Sequence, residues 1–303
     1  MIVPFVCEDD AVPKTVGEAL SSPQAEFWRA AMDEEMASLQ LNGTWELVEL
    51  PKGERPIGTR WVFALKRDGA GNIVRFKARL VAKGFMQREG IDYDETFAPV
   101  SKYTSVRVLL ACAASHDWDV QQLDVKTAFL QGDVDKKVFV QQPAGYEDGT
   151  GRVCLLRKAL YGLKQAPRAW HQKLHAELSR LGYSVSTADP GLYVCDREVA
   201  GRRVCLLVYV DDMLLVSPSA EAVAEAKTAL LGVFDARDMG AVGDFVGMRV
   251  ERDLTARTIT ISNERLVKDL LHRFGMEVAN SRQAPMPDQL VLRRGELSLI
   301  HIS

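Results

Sequence analysis

Apolar residues recur along this chain with two different periods, and the change of period marks its elements. In "SPQAEFWRAAMDEEMASLQLNG", Trp28, Met32, Met36 and Leu39 return at helical spacing. Pro23 suits the first turn of that helix and Asn42-Gly43 its end. "TWELVELPKG" reads as a short strand and turn. "RWVFALKRDGAGNIVRFKARLVAKG" reads as two strand arms around the turn-forming "DGAGN", a hairpin layout. "TSVRVLLACAASHD" predicts a buried helix, and "WDVQQLDVKTAFLQG" a strand that turns at Thr127 or Ala128. "KVFVQQPAG" predicts another short strand. "APRAWHQKLHAELSRLGY" predicts a helix with Pro167 near its start and Gly182 at its end. "CLLVYVDDMLLVS" predicts a hairpin, and "SAEAVAEAKTALLGVF" a helix with Ser219 as N-cap. Strands around "FVGMRVERD" and "TITIS" lead to a last helix, "NERLVKDLLHRFG". Irregular alternation of helices with hairpins favours an α+β fold on an antiparallel sheet.

Composition narrows this only a little. The chain has 303 residues, 47% hydrophobic and 26% charged, within the range of soluble globular proteins. No apolar run approaches the length of a membrane span, and "MIVPFVCEDD" lacks a basic region followed by an apolar core. The five cysteines form no C-x-x-C pair, which argues for free thiols in a reducing compartment. Net charge is −3, but its distribution is uneven. Lys52 to Arg88 carries Lys66, Arg67, Arg75, Lys77, Arg79 and Lys83 among its cations, opposed only by Glu54 and Asp68. Arg152 to Lys173 is a second cationic stretch with no acid. Two such segments in a near-neutral chain suit contacts to phosphate, although a solvated face gives the same pattern.

Three carboxylates break apolar strands. Asp211 and Asp212 interrupt the run from Cys205 to Val216, and Asp124 stands between Leu123 and Val125. An unpaired carboxylate taken from water costs several kilocalories, so such groups are exposed, paired or bound to a cation. The plain alternatives are a hairpin turn for the pair and a strand-end cap for Asp124. Taken together, two strand-borne sites on one sheet could converge on a divalent cation pair. Hard oxygen ligands suit Mg²⁺, and two ions about 3.5–4 Å apart serve in-line phosphoryl displacement.

At this point longer blocks become informative. "YVDD" (Tyr209 to Asp212) resembles the signature hairpin of reverse transcriptases, and "LDVKTAFL" resembles their first catalytic motif. "EFWRAAMDEEMASLQLNGTWELVELPKGERPIGTRWVFALKRD", "RFKARLVAKGFMQREGIDYDETFAPVSKYTSVRVLLACAA", "KALYGLKQAPRAWHQKL" and "ADPGLYV" resemble the polymerase domain of copia-type LTR retrotransposons, over roughly Ala25 to Pro287. The resemblance implies a right-hand polymerase fold: an antiparallel palm sheet with helices behind it, a fingers hairpin and a partial thumb. It divides the chain into a linker or flexible arm (1–22), an N-terminal helix and fingers (23–115), and a palm (116–250) with a fingers insertion near 131–165. The start of a thumb or connection (251–290) follows, and then a tail (291–303) whose "GELSLIHIS" resembles translated adapter sequence.

The resemblance also implies roles. Asp124, Asp211 and Asp212 match the catalytic, metal-holding carboxylates, with two Mg²⁺ as cofactor and Mn²⁺ as a substitute. Lys66 and Arg79 would clamp a triphosphate, with Lys77 or Arg75 as replacements for Arg79 because the register is loose. Phe129, five residues after Asp124, would exclude a ribose 2′-hydroxyl; packing in the core explains it equally well. Gln165 would contact the incoming nucleotide. Tyr209, Lys77 and Lys83 would meet the template-primer, whereas Trp61 and Trp170 read as packing groups. The implied partners are an RNA template, a DNA or RNA primer, dNTPs and other segments of a Gag-Pol polyprotein, with no membrane. The implied setting is cytoplasmic, within virus-like particles, with a nuclear phase open. Protease, integrase and ribonuclease H regions are not recognisable in the chain, so it reads as a fragment.

Two other functions compete. A metal-dependent hydrolase would use His171 and His175, four apart on one helix, but "HQKLH" lacks the glutamate of the zincin motif; a solvated face is the simpler reading. The second is a catalytically inactive nucleic-acid-binding fragment of a decayed element, which would bind template without extending a primer.

Overall fold

The computed structural model describes residues 12–67, 72–196, 198 and 203–280. It is α+β with antiparallel sheets. The chain opens with α1 (Val16–Ser21), a short helix capped by the Thr15 hydroxyl, which accepts from the Glu18 N–H. This helix lies inside the stretch expected to be a linker or arm; Ala19 is fully buried in the first core, which accounts for its order. The expected "DGAGN" turn, apart from its last residue, and the tail lie outside the described residues.

Helix α2 (Ala25–Leu41) buries the residues its period predicts, Trp28, Met32, Met36 and Leu39. Strand β1 (Trp45–Val48) follows, and then the hairpin of β2 (Thr59–Arg67) and β3 (Ile73–Ala82). Alternation divides that hairpin into two faces. Trp61, Phe63, Ala78 and Leu80 are buried in the first core with α2, and Phe76 packs against it. Lys66, Arg75, Lys77 and Arg79 fall on the opposite face, Lys66 directly across from Arg75. The same core takes in β5 (Phe139–Val140) and β6 (Val153–Leu156), which form a three-stranded sheet with β1 in the order β1-β6-β5.

The central sheet has six strands, in the order β11-β4-β10-β9-β8-β7. They are β4 (Asp119–Val125), β7 (Tyr183–Val185), β8 (Leu192–Cys195), β9 (Cys205–Tyr209), β10 (Asp212–Ser217) and β11 (Ala236–Ala241). Helices α4 (Ala166–Arg180) and α5 (Ala220–Leu231) cover one face, where Leu123, Leu206, Met213 and Leu215 meet Trp170, Leu174, Val223 and Leu230. The expectation of helices behind the sheet is incomplete. Helix α3 (Tyr103–His116) covers the other face. With it packs a small sheet of β12 (Asp244–Phe245), β13 (Met248–Asp253) and β14 (Thr258–Ser262). Burial on both faces explains why β9 and β10 read as near-continuous apolar runs instead of alternating. The last element among the described residues is α6 (Glu264–Arg273), which buries no residue.

Candidate active site

The predicted hairpin turn holds Asp211, one of the predicted site residues. β9 and β10 pair from Tyr209 opposite Asp212, so only Val210 and Asp211 remain for the turn. Val210 has φ 59, uncommon for a β-branched residue. Its carbonyl accepts from Trp170 Nε1 at 2.7 Å, which fixes the turn from behind and confirms that Trp170 packs. Trp61 is likewise buried, its Nε1 donating to the Ala144 carbonyl at 3.0 Å. The Asp211 carbonyl accepts from the Val125 N–H at 2.8 Å, tying the turn to the end of β4.

Across β4 and β10, Asp124 stands directly opposite Asp212. Burial, then Asp211 and Asp124, push the Asp212 carboxyl up to about 6, against the Gln122 amide that donates to it at 3.3 Å. Asp124 is raised as well, by burial first and then by Asp211, with Lys77, Arg237 and Arg79 opposing. Carboxylates that disfavour each other's charge are the condition a cation relieves.

A cavity of about 870 Å³ opens beside this turn. Asp124, Val125, Thr127 and Asp211 line one side, and the hairpin presents Lys66, Arg75, Lys77 and Arg79. α2 adds Glu34 and Glu35, and β11 adds Arg237, which stands opposite Asp124 in the strand register. Arg75 pairs with Glu34, and the Glu35 carboxylate accepts from the Leu80 N–H of β3 at 3.2 Å. Burial, and then Arg79, Lys66 and Arg75, lower the Lys77 ammonium below its usual range. Cations crowded beside carboxylates make a site for a polyanion and a bridging divalent cation. Asp124 and Asp211 line the cavity, whereas Asp212 does not and accepts from Gln122. Among the described residues no three His, Cys, Asp or Glu side chains are grouped tightly enough to form a ready metal cluster. The donor chemistry nonetheless fits Mg²⁺: hard carboxylate oxygens on paired strands that disfavour one another's charge.

Other predicted residues lie elsewhere. Gln165 is buried, donating to the Asp92 carbonyl at 3.0 Å and accepting from Gln87 Nε2 at 2.9 Å. Its amide is committed within the protein and does not line the cavity. Phe129 does not line it either; the ring is half-buried between the first and second cores. Lys83 sits at the closed base of the hairpin, against Gly58, while Lys77 faces the cavity with Lys66 and Arg79. Tyr209 is half-buried, its ring centroid 6.1 Å from that of Tyr103 on α3. His171 and His175 do stack on one face of α4, centroids 6.2 Å apart, but that face is only partly solvated. His175 is exposed, while Nε2 of His171 is buried without a hydrogen-bond partner among the described residues. Tyr161 and Arg237 are cavity residues that sequence reasoning missed. Gly162, a turn signal, was a pointer to Tyr161; exposed "ARDMGA" offered none for Arg237.

Comparison with known proteins identifies the family. The family described as Reverse transcriptase (RNA-dependent DNA polymerase) matches residues 42–288. The chain belongs to this family. Its copia-type character is shown by relatives in plants. The Retrovirus-related Pol polyprotein from transposon TNT 1-94 of Nicotiana tabacum is 45% identical over 94% of the chain. That from transposon RE1 of Arabidopsis thaliana is 40% identical over 91%. The chain spans only 22% and 19% of the lengths of these two relatives. A solved foamy viral protease-reverse transcriptase in complex with double-stranded DNA aligns with 84% of the chain and 37% of its own, at 13% identity and TM-score 0.45. That last likeness is too slight to decide anything about this reverse transcriptase domain.

Proposed function

We propose that this reverse transcriptase domain is an RNA-dependent DNA polymerase that adds dNTPs to a primer 3′-hydroxyl on an RNA or DNA template. The observation that carries the reading is the single cavity in which Asp124 and Asp211 face Lys66, Lys77 and Arg79. In this reading β2–β3 is the fingers hairpin, the six-stranded sheet the palm, and β12 to α6 the start of a thumb. The primer oxygen attacks the α-phosphorus of the nucleotide as the bond to the pyrophosphate leaving group breaks. Lys66, Lys77 and Arg79 bind and orient the triphosphate, Arg by paired N–H donors and Lys as point charges. Asp124 and Asp211, with Asp212 beside them, would hold divalent cations, Mg²⁺ or Mn²⁺, which when bound supply charge stabilisation to a phosphoryl transfer. Tyr209, next to the turn, faces the primer end, and Lys83 the template strand. The remaining partners are other segments of a Pol polyprotein, and the setting is a cytoplasmic virus-like particle.

Extension of a DNA primer annealed to an RNA template, with dNTPs and Mg²⁺, tests this. The expected result is extension by the unaltered chain and a fall of at least about a thousandfold in Asp211→Asn, the scale of losing a main electrostatic group. Extension that survives in the variant overturns the assignment. Template bound but never extended, by either chain, marks the inactive fragment instead.

A further inference from the structure

The wall of the cavity that α2 supplies carries acids, although the cavity suits a polyanion. Ala31, Glu34, Glu35 and Ser38 line it at helical spacing, so they share one face of α2. Neither glutamate is loose. Glu34 pairs with Arg75, and both side chains are more than half exposed. The Glu35 carboxylate accepts from the Leu80 N–H at 3.2 Å, on the edge of β3 that β2 leaves unpaired. Leu80 directly follows Arg79. Burial raises the Glu35 carboxyl above its ordinary range, with the Leu80 N–H, Arg79 and Lys77 opposing. The hairpin is also tied at its base, where the Ala82 N–H donates to the Tyr161 carbonyl at 2.8 Å. Gly162, at φ +89, permits that approach, since a Cβ there would land on the Ala82 carbonyl. Two carboxylates of α2 therefore meet a hairpin that is fixed at its base and bears four cations. Of those four, Arg75 alone has an ion-pair partner among the described residues.

We propose that Glu34 and Glu35 are resident counter-ions of the hairpin, positioning residues that release its cations to a triphosphate and take them back as pyrophosphate leaves. This rests on the polymerase reading for the identity of the polyphosphate. Four cations on one face, unopposed, would grip substrate and product alike. Uniform binding of that kind lowers KM without raising kcat, and it holds the product in the site. Acids that compete for the same cations weaken the hold on both. Glu34 acts by exchange: Arg75 leaves it for a phosphate oxygen and returns when that oxygen departs. Glu35 stays on the Leu80 N–H and acts through its charge, beside Lys77 and Arg79. Arg75 and the Leu80 N–H already occupy these carboxylates, so the pair is a counterweight to the cations and not a second metal site.

The test is equilibrium binding of inorganic tripolyphosphate and of pyrophosphate to the full chain, by calorimetry in a metal-free, mildly alkaline buffer. It compares the unaltered chain, Glu34→Gln, Glu35→Gln, Arg75→Gln and the double variant of Glu34→Gln with Arg75→Gln. Glutamine at position 35 keeps an acceptor for the Leu80 N–H and removes only the charge. Both probes are expected to bind more tightly to the glutamine variants, by about twofold to fivefold in Glu34→Gln and on the order of tenfold in Glu35→Gln. Added salt should shrink both gains. Arg75→Gln is expected to bind more weakly, and Glu34→Gln should bring no gain in that background, because the two side chains act as one pair. A purely structural role for the glutamates predicts weaker binding instead. Affinity unchanged or reduced in both glutamine variants overturns the proposal, as does a Glu34→Gln gain that persists without Arg75, or no binding by any chain. If Glu35→Gln impairs folding, the exposed Glu34→Gln decides alone. No primer is extended in this test, so the two readings fail separately. A chain that shows the gains but never extends a primer loses the polymerase reading and keeps the counter-ions, and an active chain without the gains does the reverse.

Discussion

Asp212 stands directly across the sheet from Asp124, next to Asp211 in the chain, and its carboxyl is held up at about 6 from an ordinary 3.8. A folded-state value above the unfolded one means that the folded chain binds the proton more tightly. The resulting stability is fully present below about 3.8 and is lost as pH rises through about 6. Asp124 is shifted in the same direction. In a chelating buffer, these two groups are therefore expected to contribute a decline in stability over this range. Asp212→Asn, which keeps an acceptor for Gln122, should flatten the decline and add roughly 1 kcal/mol at neutral pH, after allowance for solvent screening. Urea midpoints across pH measure this; an equal slope in both chains contradicts it. At this scale the sequence was legible where a residue violates its surroundings. Acids inside apolar strands are conspicuous, and so are Arg75, Lys77 and Arg79 alternating with Phe76, Ala78 and Leu80. It was not legible for Gln165 and Tyr161, because a loop has no period to say which side chain faces inward. The choice fell on the amide, yet Asp92 and Gln87 occupy that amide and the aromatic four residues earlier faces the cavity.

The elements most easily read from sequence are those with the longest period to display. α2, α4 and the β2–β3 hairpin fall where the spacing puts them, and Ser219 caps α5 by accepting from the Ala222 N–H at 3.2 Å. The missed strands are short or unpatterned: β6 and β8 have four residues each, and β7 has three. β11 is a mostly exposed edge strand, held in register by β4 and not by an apolar face of its own. The contact between the hairpin base and the Tyr161 turn was equally invisible, since it is a matter of backbone proximity. Gly162→Ala tests that contact. It forces a Cβ into a left-handed position that also collides with Ala82, so a loss of about 2–4 kcal/mol is expected from strain and displacement together. A urea midpoint within error of the unaltered chain would show that the two segments yield easily.

Over the whole molecule, the cavity lies where separately packed cores meet. The hairpin belongs to the first core with α2, whereas Asp124 and the Asp211 turn belong to the sheet whose two faces build the others. Phe129 packs against both the first and the second. The hairpin cations come from one core and Asp124 and Asp211 from the next, so an intact site requires both to be folded and docked. Overall charge hides this arrangement: a net −3 is compatible with a phosphate site because the balancing acids lie on other surfaces and at the cavity itself. The α+β class was readable from the order of elements, and the apolar runs of β9 and β10 pointed to buried strands, but which elements cover each face was not, because it depends on α3 and the β12–β14 sheet returning to the side opposite α4 and α5. The most direct test of the central claim is a crystal soaked with Mn²⁺ and a non-hydrolysable deoxynucleoside triphosphate, imaged by anomalous scattering. The account predicts manganese beside Asp124 and Asp211, with the triphosphate reaching toward Lys66, Lys77 and Arg79. Manganese held elsewhere, or a triphosphate bound away from the hairpin cations, would contradict it.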